Sequence, residues 1–141
     1  MRFCLFILLL LAGTGPAAAQ NLKSGGKLIP EQAIMDIRHY TVALTVDPTQ
    51  KSIVGYTEID LILSQQAEKL VFDLVHLLQV KKVWVDGKEM KHEAAGDRIY
   101  ITGTKPFPAS RIRVKIAYGG VPGVAERAPW VGGFQWEKDS Q

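Results

Sequence analysis

An all-β sandwich is the fold that this sequence predicts, and three observations predict it. Apolar residues recur with period two in successive runs from Asp36 to Tyr118, turn residues interrupt those runs, and no stretch carries a helical period of useful length. Successive side chains on a strand point to opposite faces, so a period of two sets one row against a core and the other in water.

The elements follow in order. Tyr40, Val42, Leu44 and Val46 form the first apolar face, and Asp47-Pro48-Thr49-Gln50 breaks it with turn residues. Alternation resumes in Thr57, Ile59, Leu61 and Leu63, so the two runs make a hairpin. Leu70, Phe72 and Leu74 mark a third, short strand. Leu78 to Val85 is a fourth, in which Lys81-Lys82 shifts the alternation by one residue and requires a bulge. Asp86-Gly87 favours a tight turn and a further hairpin, since glycine takes positive φ without a Cβ clash. Gly96-Asp97 turns the chain before Ile99 and Ile101. Lys105-Pro106-Phe107-Pro108 reads as a loop, and Ile112, Val114, Ile116 and Tyr118 alternate cleanly in the last strand. The expected architecture is mostly antiparallel, a β-sandwich or an open barrel with about seven or more strands. From Gly119 to Gln141 the periodicity stops and glycine, proline and tryptophan dominate.

The beginning of the chain predicts where the protein goes. Arg2, the apolar run Phe3 to Ala12 and the small residues Ala17-Ala18-Ala19 have the order of a secretory signal peptide over residues 1–19, with cleavage after Ala19. The expected location is therefore outside the cytoplasm, periplasmic or secreted. The run is too short to cross a hydrocarbon core of ~30 Å, and no later segment approaches the roughly 20 apolar residues that a span needs. Residues 20–35, with Lys23-Ser24-Gly25-Gly26-Lys27, read as a flexible leader, and residues 36–141 as the domain. The single cysteine, Cys4, leaves with the signal, which excludes a disulfide framework and a thiolate metal site in the mature chain. The net charge of +3, one less after loss of Arg2, gives no electrostatic footprint for nucleic acid or an anionic membrane.

Candidate chemistry is sparse. His92-Glu93-Ala94-Ala95 begins like a zinc-protease helix, but Gly96 stands where the second histidine is required, and the segment lies between two turn signals, where residues four apart share no helical face. His39 and His76 have no partner at metal spacing, and His39 falls on the polar side of the first strand. No serine occupies a Gly-x-Ser-x-Gly elbow. Glu58 and Asp60 share an outward face, as do Arg111, Arg113 and Lys115; with no aromatic residue interleaved, both rows read as solvated surface. Trp130, Phe134 and Trp136 are the candidate contact residues, because large aromatics in a glycine-rich segment either pack against protein or stack on sugars.

Several motifs together resemble one family. Asp36-Ile37-Arg38-His39-Tyr40-Thr41-Val42-Ala43-Leu44, Asp47-Pro48 and Gly55 look like the opening of the aminopeptidase N family of zinc metallopeptidases. Leu70-Val71-Phe72-Asp73-Leu74, Val83-Trp84-Val85-Asp86-Gly87, Tyr118-Gly119-Gly120-Val121-Pro122 and Pro129-Trp130-Val131-Gly132-Gly133-Phe134 follow in the expected order. The last is similar to the exported bacterial branch, which typically has aspartate at the position of Val131. The resemblance runs from about Asp36 to the end and concerns the N-terminal domain only, which it implies to be a saddle-shaped β-sandwich packed over a catalytic domain. It also implies that the zinc-binding helix and the substrate-anchoring Gly-x-Met-Glu-Asn strand lie beyond Gln141, so no catalytic, cofactor or metal residue is carried over onto this chain. Zinc, peptide substrate and the catalytic domain as partner are expected for a full-length parent. The contrasting expectation is a stand-alone exported sandwich that binds a glycan or a protein through its aromatic tail or a sheet edge.

Overall fold

The structure is a computed structural model and describes residues 28–127 and 132–138. The expected signal sequence, most of the expected leader and Trp130 lie outside the described residues. The expected all-β sandwich is what forms. Its elements are α1 (Pro30–Ala33), β1 (Met35–Asp47), β2 (Ser52–Leu63), β3 (Ala67–Asp73), β4 (Leu78–Val85), β5 (Lys88–Glu89), β6 (Lys91–Ala95), β7 (Arg98–Phe107) and β8 (Arg111–Gly120). One sheet has the order β1-β2-β8-β4-β5 and the other β3-β7-β6, with every neighbouring pair antiparallel.

Turn chemistry fixes the registers. The Asp47 carboxylate accepts the backbone N–H groups of Thr49 and Gln50, both at 2.9 Å, and so closes the β1–β2 connection. Asp86 and Gly87 both have positive φ, 47° and 79°, the pairing that matches a two-residue turn to the twist of β4 and β5. The expected bulge occurs between Val80 and Lys82, where β4 slips by one residue against β8, so that Val80, Val83 and Val85 all face inward. A second bulge lies between Ile37 and His39, and beyond it Tyr40, Val42, Leu44 and Val46 stand beside Ile59, Thr57, Gly55 and Ile53 on the inner face.

The core lies between the sheets. Ile53, Ile59, Leu61 and Leu63 of β2 and Ile112, Val114, Ile116 and Tyr118 of β8 meet Leu70 and Phe72 of β3 and Ile99, Ile101 and Phe107 of β7. A part-buried polar contact joins neighbouring strands of one sheet, the Thr57 hydroxyl and the Tyr118 phenol at 2.9 Å, and each group satisfies the other. Gly55 sits opposite Leu44 and Tyr118. A Cβ there would overlap the Ala43 carbonyl oxygen, so only glycine lets β1 approach β2 so closely.

Three sequence expectations are corrected. The segment assigned to the leader up to residue 35 contains α1 and the start of β1, because Pro30 pre-sets φ for a first turn and Ile34 and Met35 pack against the core. The loop read at Lys105-Pro106-Phe107-Pro108 is strand as far as Phe107; β7 leaves its register with β3 between Thr102 and Phe107, which accommodates Pro106, and Phe107 returns to pair with Ala67. The first apolar face is turned inward as expected but is not buried: Tyr40 is 55% exposed, Val42 58%, Leu44 39% and Val46 47%. The smaller sheet has three strands against five, and its cover stops short of β1.

The two kinds of inner-face position separate experimentally. Leu61→Ala, at a fully buried site, is expected to lower unfolding free energy by about 2–5 kcal/mol, whereas Val42→Ala changes it by less than about 1 kcal/mol. Gly55→Ala should cost about 1–3 kcal/mol through overpacking against Ala43. Urea denaturation of the three variants of the isolated chain measures all of these.

Candidate functional site

A concavity of about 670 Å³ lies on the outer face of the five-stranded sheet, where Glu58 and Asp60 of β2 stand beside Arg111, Arg113 and Lys115 of β8, with Trp84 and Asp86 next to them. Alternation puts these polar residues outward for the same reason that it puts Ile59 and Val114 inward. The charges neutralise one another in pairs. Arg111 donates Nε–H to Asp60 Oδ1 at 2.8 Å and a second hydrogen bond from Nη2 to Oδ2, a bidentate fork. Lys115 Nζ lies 3.2 Å from Glu58 Oε1 and 3.6 Å from the centre of the Tyr56 ring. The backbone N–H of Arg113 donates to Asp86 Oδ1 at 2.9 Å. The cationic row therefore does have aromatic neighbours, Tyr56 on β2 and Trp84 on β4. They are invisible along β8 itself because they come from the strands on either side.

The hydrogen bond from Arg111 holds the Asp60 carboxyl below its ordinary value of 3.8, and the nearby positive charges of Arg111, Arg113 and His39 add to this against an opposing effect of burial. Arg111 is raised in turn by Asp60. Neither group is a proton shuttle near neutral pH, since both are driven further into their charged forms.

The remaining titratable groups do not assemble either. His92 and Glu93 lie in β6, opposite Ile101 and Tyr100, so they alternate across the strand and share no helical face. His39 pairs with Asp60 across the outer face of the sheet, as the sequence placed it. His76 reaches Asp97 through Nδ1 at 2.7 Å, and its backbone N–H donates to the same carboxylate oxygen, which ties the β3–β4 connection to the β6–β7 turn. Among the described residues no group of three or more His, Cys, Asp and Glu side chains is placed to hold a metal ion. No helix among them is long and apolar enough to cross a membrane.

Of the three aromatic candidates, two are described. Phe134 and Trp136 stack on each other, with ring centres 5.5 Å apart and planes 21° from parallel, and Phe134 packs against the core. The tail is fastened where β8 ends: the Phe134 N–H donates to the Gly123 carbonyl at 2.8 Å and the Ala125 N–H to the Phe134 carbonyl at 3.0 Å. The Trp136 indole N–H is buried without an acceptor among the described residues.

A second concavity, about 510 Å³, lies between the sheets beside β1, where Tyr40 and Val42 face Phe72 and Leu74 across an open gap that Leu28 and Gln32 border. Sequence reasoning assigned this row to the core and missed it as a surface. No local signal distinguishes an apolar face that is covered from one that is not.

Fold and surface together define the class: an all-β sandwich that carries no assembled catalytic or metal-binding cluster among its described residues. No family model matches the sequence, and no curated protein aligns with it. Solved structures do share the fold. An M1 zinc metallopeptidase from Deinococcus radiodurans with a bound Tyr-Ser-Ala substrate superposes with a TM-score of 0.64 at 21% identity, over 76% of this chain and 25% of that one. A two-domain M1 zinc metallopeptidase with bound L-arginine gives 0.62 at 20% identity, over 74% and 24%. Yeast LTA4 hydrolase in complex with bestatin gives 0.54 at 18% identity, over 62% and 15%. The chain thus has the fold of one part of these enzymes and spans about a quarter of the length of the first two or less.

The Arg111–Asp60 fork makes a pH prediction. A depressed carboxyl pKa means that the pair's contribution to folding is present above the ordinary carboxylate value and is lost as pH falls through the depressed one. NMR titration of the Asp60 side-chain carboxyl should give a midpoint below 3.8, and Arg111→Gln should move it upward.

Proposed function

We propose that this chain is the non-catalytic N-terminal β-sandwich domain of an exported zinc aminopeptidase, and that it walls the peptide cavity of a catalytic domain encoded beyond it. The observation that carries the reading is the fold likeness itself: about three quarters of this chain superposes on about a quarter of M1 zinc metallopeptidases. The ordered motifs from Asp36-Ile37-Arg38-His39-Tyr40 to Gly132-Gly133-Phe134 support it independently. In such a parent, zinc polarises the scissile carbonyl and a glutamate activates water, and both belong to the catalytic domain. The residues of this chain exclude water and longer peptide segments; Trp130, Phe134 and Trp136 belong to the contact between domains. The signal sequence in residues 1–19 supports export to the periplasm or the medium.

The alternative, a stand-alone module that binds a glycan through its aromatic tail, is less well supported. Phe134 stacks on Trp136 and packs against the core, so its ring is not an open sugar platform.

An antibody against residues Gln20 to Tyr118, used on exported fractions of the source cells, tests the proposal. The expected result is a species several times larger than this chain that has zinc-dependent aminopeptidase activity, with no such activity in the purified 141-residue chain. A zinc-dependent rate from the purified chain would overturn it, as would a native species of the mature chain's own mass.

A further inference from the structure

The free edge of β1 is the one strand edge that this fold leaves unguarded among the described residues. We infer that two copies of this chain join there, β1 against β1 and antiparallel, about a two-fold axis through Ala43, so that their five-stranded sheets become one. The inference concerns the chain by itself and stands apart from the parent reading.

Elimination identifies the edge. β1 and β5 end the larger sheet, and β3 and β6 end the smaller one. β5 is only Lys88–Glu89, and β6 carries Lys91 and Glu93; short strands and charges are what keep edges from pairing. β3 has α1 beside it, with Glu31 ion-paired to Lys69. β1 runs from Met35 to Asp47, and between His39 and Val46 it holds no proline, glycine, lysine or acid. Its safeguards lie at the two ends: the bulge between Ile37 and His39 beside Arg38, and Asp47-Pro48.

Hydrogen bonding determines which groups that edge offers. The Ser110 carbonyl accepts from Leu63 on the β2 side of β8, and the Arg113 carbonyl accepts from Asp86 on the β4 side. Backbone groups alternate sides along a strand, so Ile112, Val114, Ile116 and Tyr118 bond to β2. Carried across β2 by the registers, the same alternation makes His39, Thr41, Ala43 and Thr45 the residues of β1 that bond to β2. The Ala43 carbonyl does lie against Gly55 of β2. Tyr40, Val42, Leu44 and Val46 therefore turn their N–H and C=O groups to the free side, where no described strand pairs with them.

Self-complementarity selects the occupant. With Ala43 opposite Ala43, Tyr40 meets Val46 of the second copy and Val42 meets Leu44, and each pair exchanges both of its backbone hydrogen bonds. On the inner face these pairs set an aromatic against a β-branched side chain and one aliphatic side chain against another. On the outer face Thr41 meets Thr45, and at the ends His39 meets the Asp47 carboxylate, a charge-complementary pair when the imidazole is protonated. Small residues, Ala43 with Ala43 and Thr41 with Thr45, fall at the non-bonded pairs, where the Cα atoms approach to about 4.5 Å. Moving the axis to Val42 sets Val46 against Arg38 at the bulge, and moving it to Leu44 sets Tyr40 against Pro48, which has no N–H to give. The same edge serves both copies, so the assembly closes at two. The preceding segment of this chain, Gln20 to Lys27, has one large apolar residue, Leu22, and no alternating row to compete for the edge.

Sedimentation and cross-linking of the purified 141-residue chain test this. A dimer should form as the concentration rises from about 1 μM to about 1 mM, and amide exchange at Val42 and Leu44 should slow with it. In a Cys4→Ser background, Ala43→Cys should oxidise to a disulfide-linked dimer at least about tenfold faster than Thr45→Cys. The axis brings position 43 of both copies within disulfide reach and leaves the two thiols at position 45 about 14 Å apart. Thr41→Lys combined with Thr45→Lys sets like charges opposite each other and should abolish the dimer, and Thr41→Lys combined with Thr45→Glu should restore it. Both sites are exposed, so the fold tolerates these changes. A chain that stays monomeric over the whole range overturns the inference, as do equal cross-linking rates at 43 and 45 or a dimer indifferent to the paired lysines. A monomer whose Val42 and Leu44 amides are protected at every concentration shows a segment of the same chain on the edge, and overturns it as well.

Discussion

The pairing of Ile53–Ile62 with Arg111–Gly120 joins two distant stretches of sequence in one sheet, and the rest of the molecule is arranged around it. β8 is hydrogen-bonded on both sides, to β2 and to β4, so its inner residues Ile112, Val114, Ile116 and Tyr118 are fixed in the plane that becomes the core. The smaller sheet can only pack where that plane is apolar, and Leu70, Phe72, Ile99 and Ile101 do so. Such long-range contacts cost loop-closure entropy before they return burial energy, so a strictly alternating apolar row on both partners is needed to pin their register. A slip of one residue would turn Arg113 inward and Val114 to water.

Local chemistry was legible wherever it decides a local event. The bulge follows from Lys81-Lys82 interrupting the apolar alternation, and the β4–β5 turn from Asp86-Gly87, because each depends on a few adjacent residues. Pro30–Ala33 was not legible, since a single helical turn lacks a period and owes its shape to Pro30 and to the packing of Ile34 and Met35. Neither were the aromatic neighbours of the basic row: Tyr56 and Trp84 reach Lys115 from strands far away in sequence, and only sheet order brings them there. The same limit explains Tyr40, Val42, Leu44 and Val46. Alternation states which side of a strand is apolar; whether a second layer extends over it is a property of the whole fold.

The outer face of the sheet shows why a groove lined by charged side chains need not be a reaction centre. Asp60 is held ionised by Arg111, and Glu58 lies against Lys115, which itself sits over Tyr56. Catalytic carboxyls are tuned toward the working pH by burial or by like charges, so that they can exchange a proton. Here the shift on Asp60 runs the other way, as in a structural ion pair. Exposed pairs of this kind contribute little to stability one by one. What they give the sheet is a polar, charge-balanced exterior.

The inner and outer faces of β1 therefore make opposite statements about its surroundings. Outward, His39, Thr41 and Thr45 meet solvent as a sheet exterior does; inward, four large apolar side chains remain between 39% and 58% exposed. A further apolar group, Val75, Leu77, Val121 and Val124, is exposed in the connections at the ends of β4 and β8, close to where the tail is fastened. Single exposed apolar residues are ordinary on any protein, but contiguous rows mark surfaces that another body covers. The fold is that of one part, about a quarter, of longer enzymes. The core is continuous where the two sheets overlap, and where they do not, the inner face of β1 keeps its apolar side chains exposed.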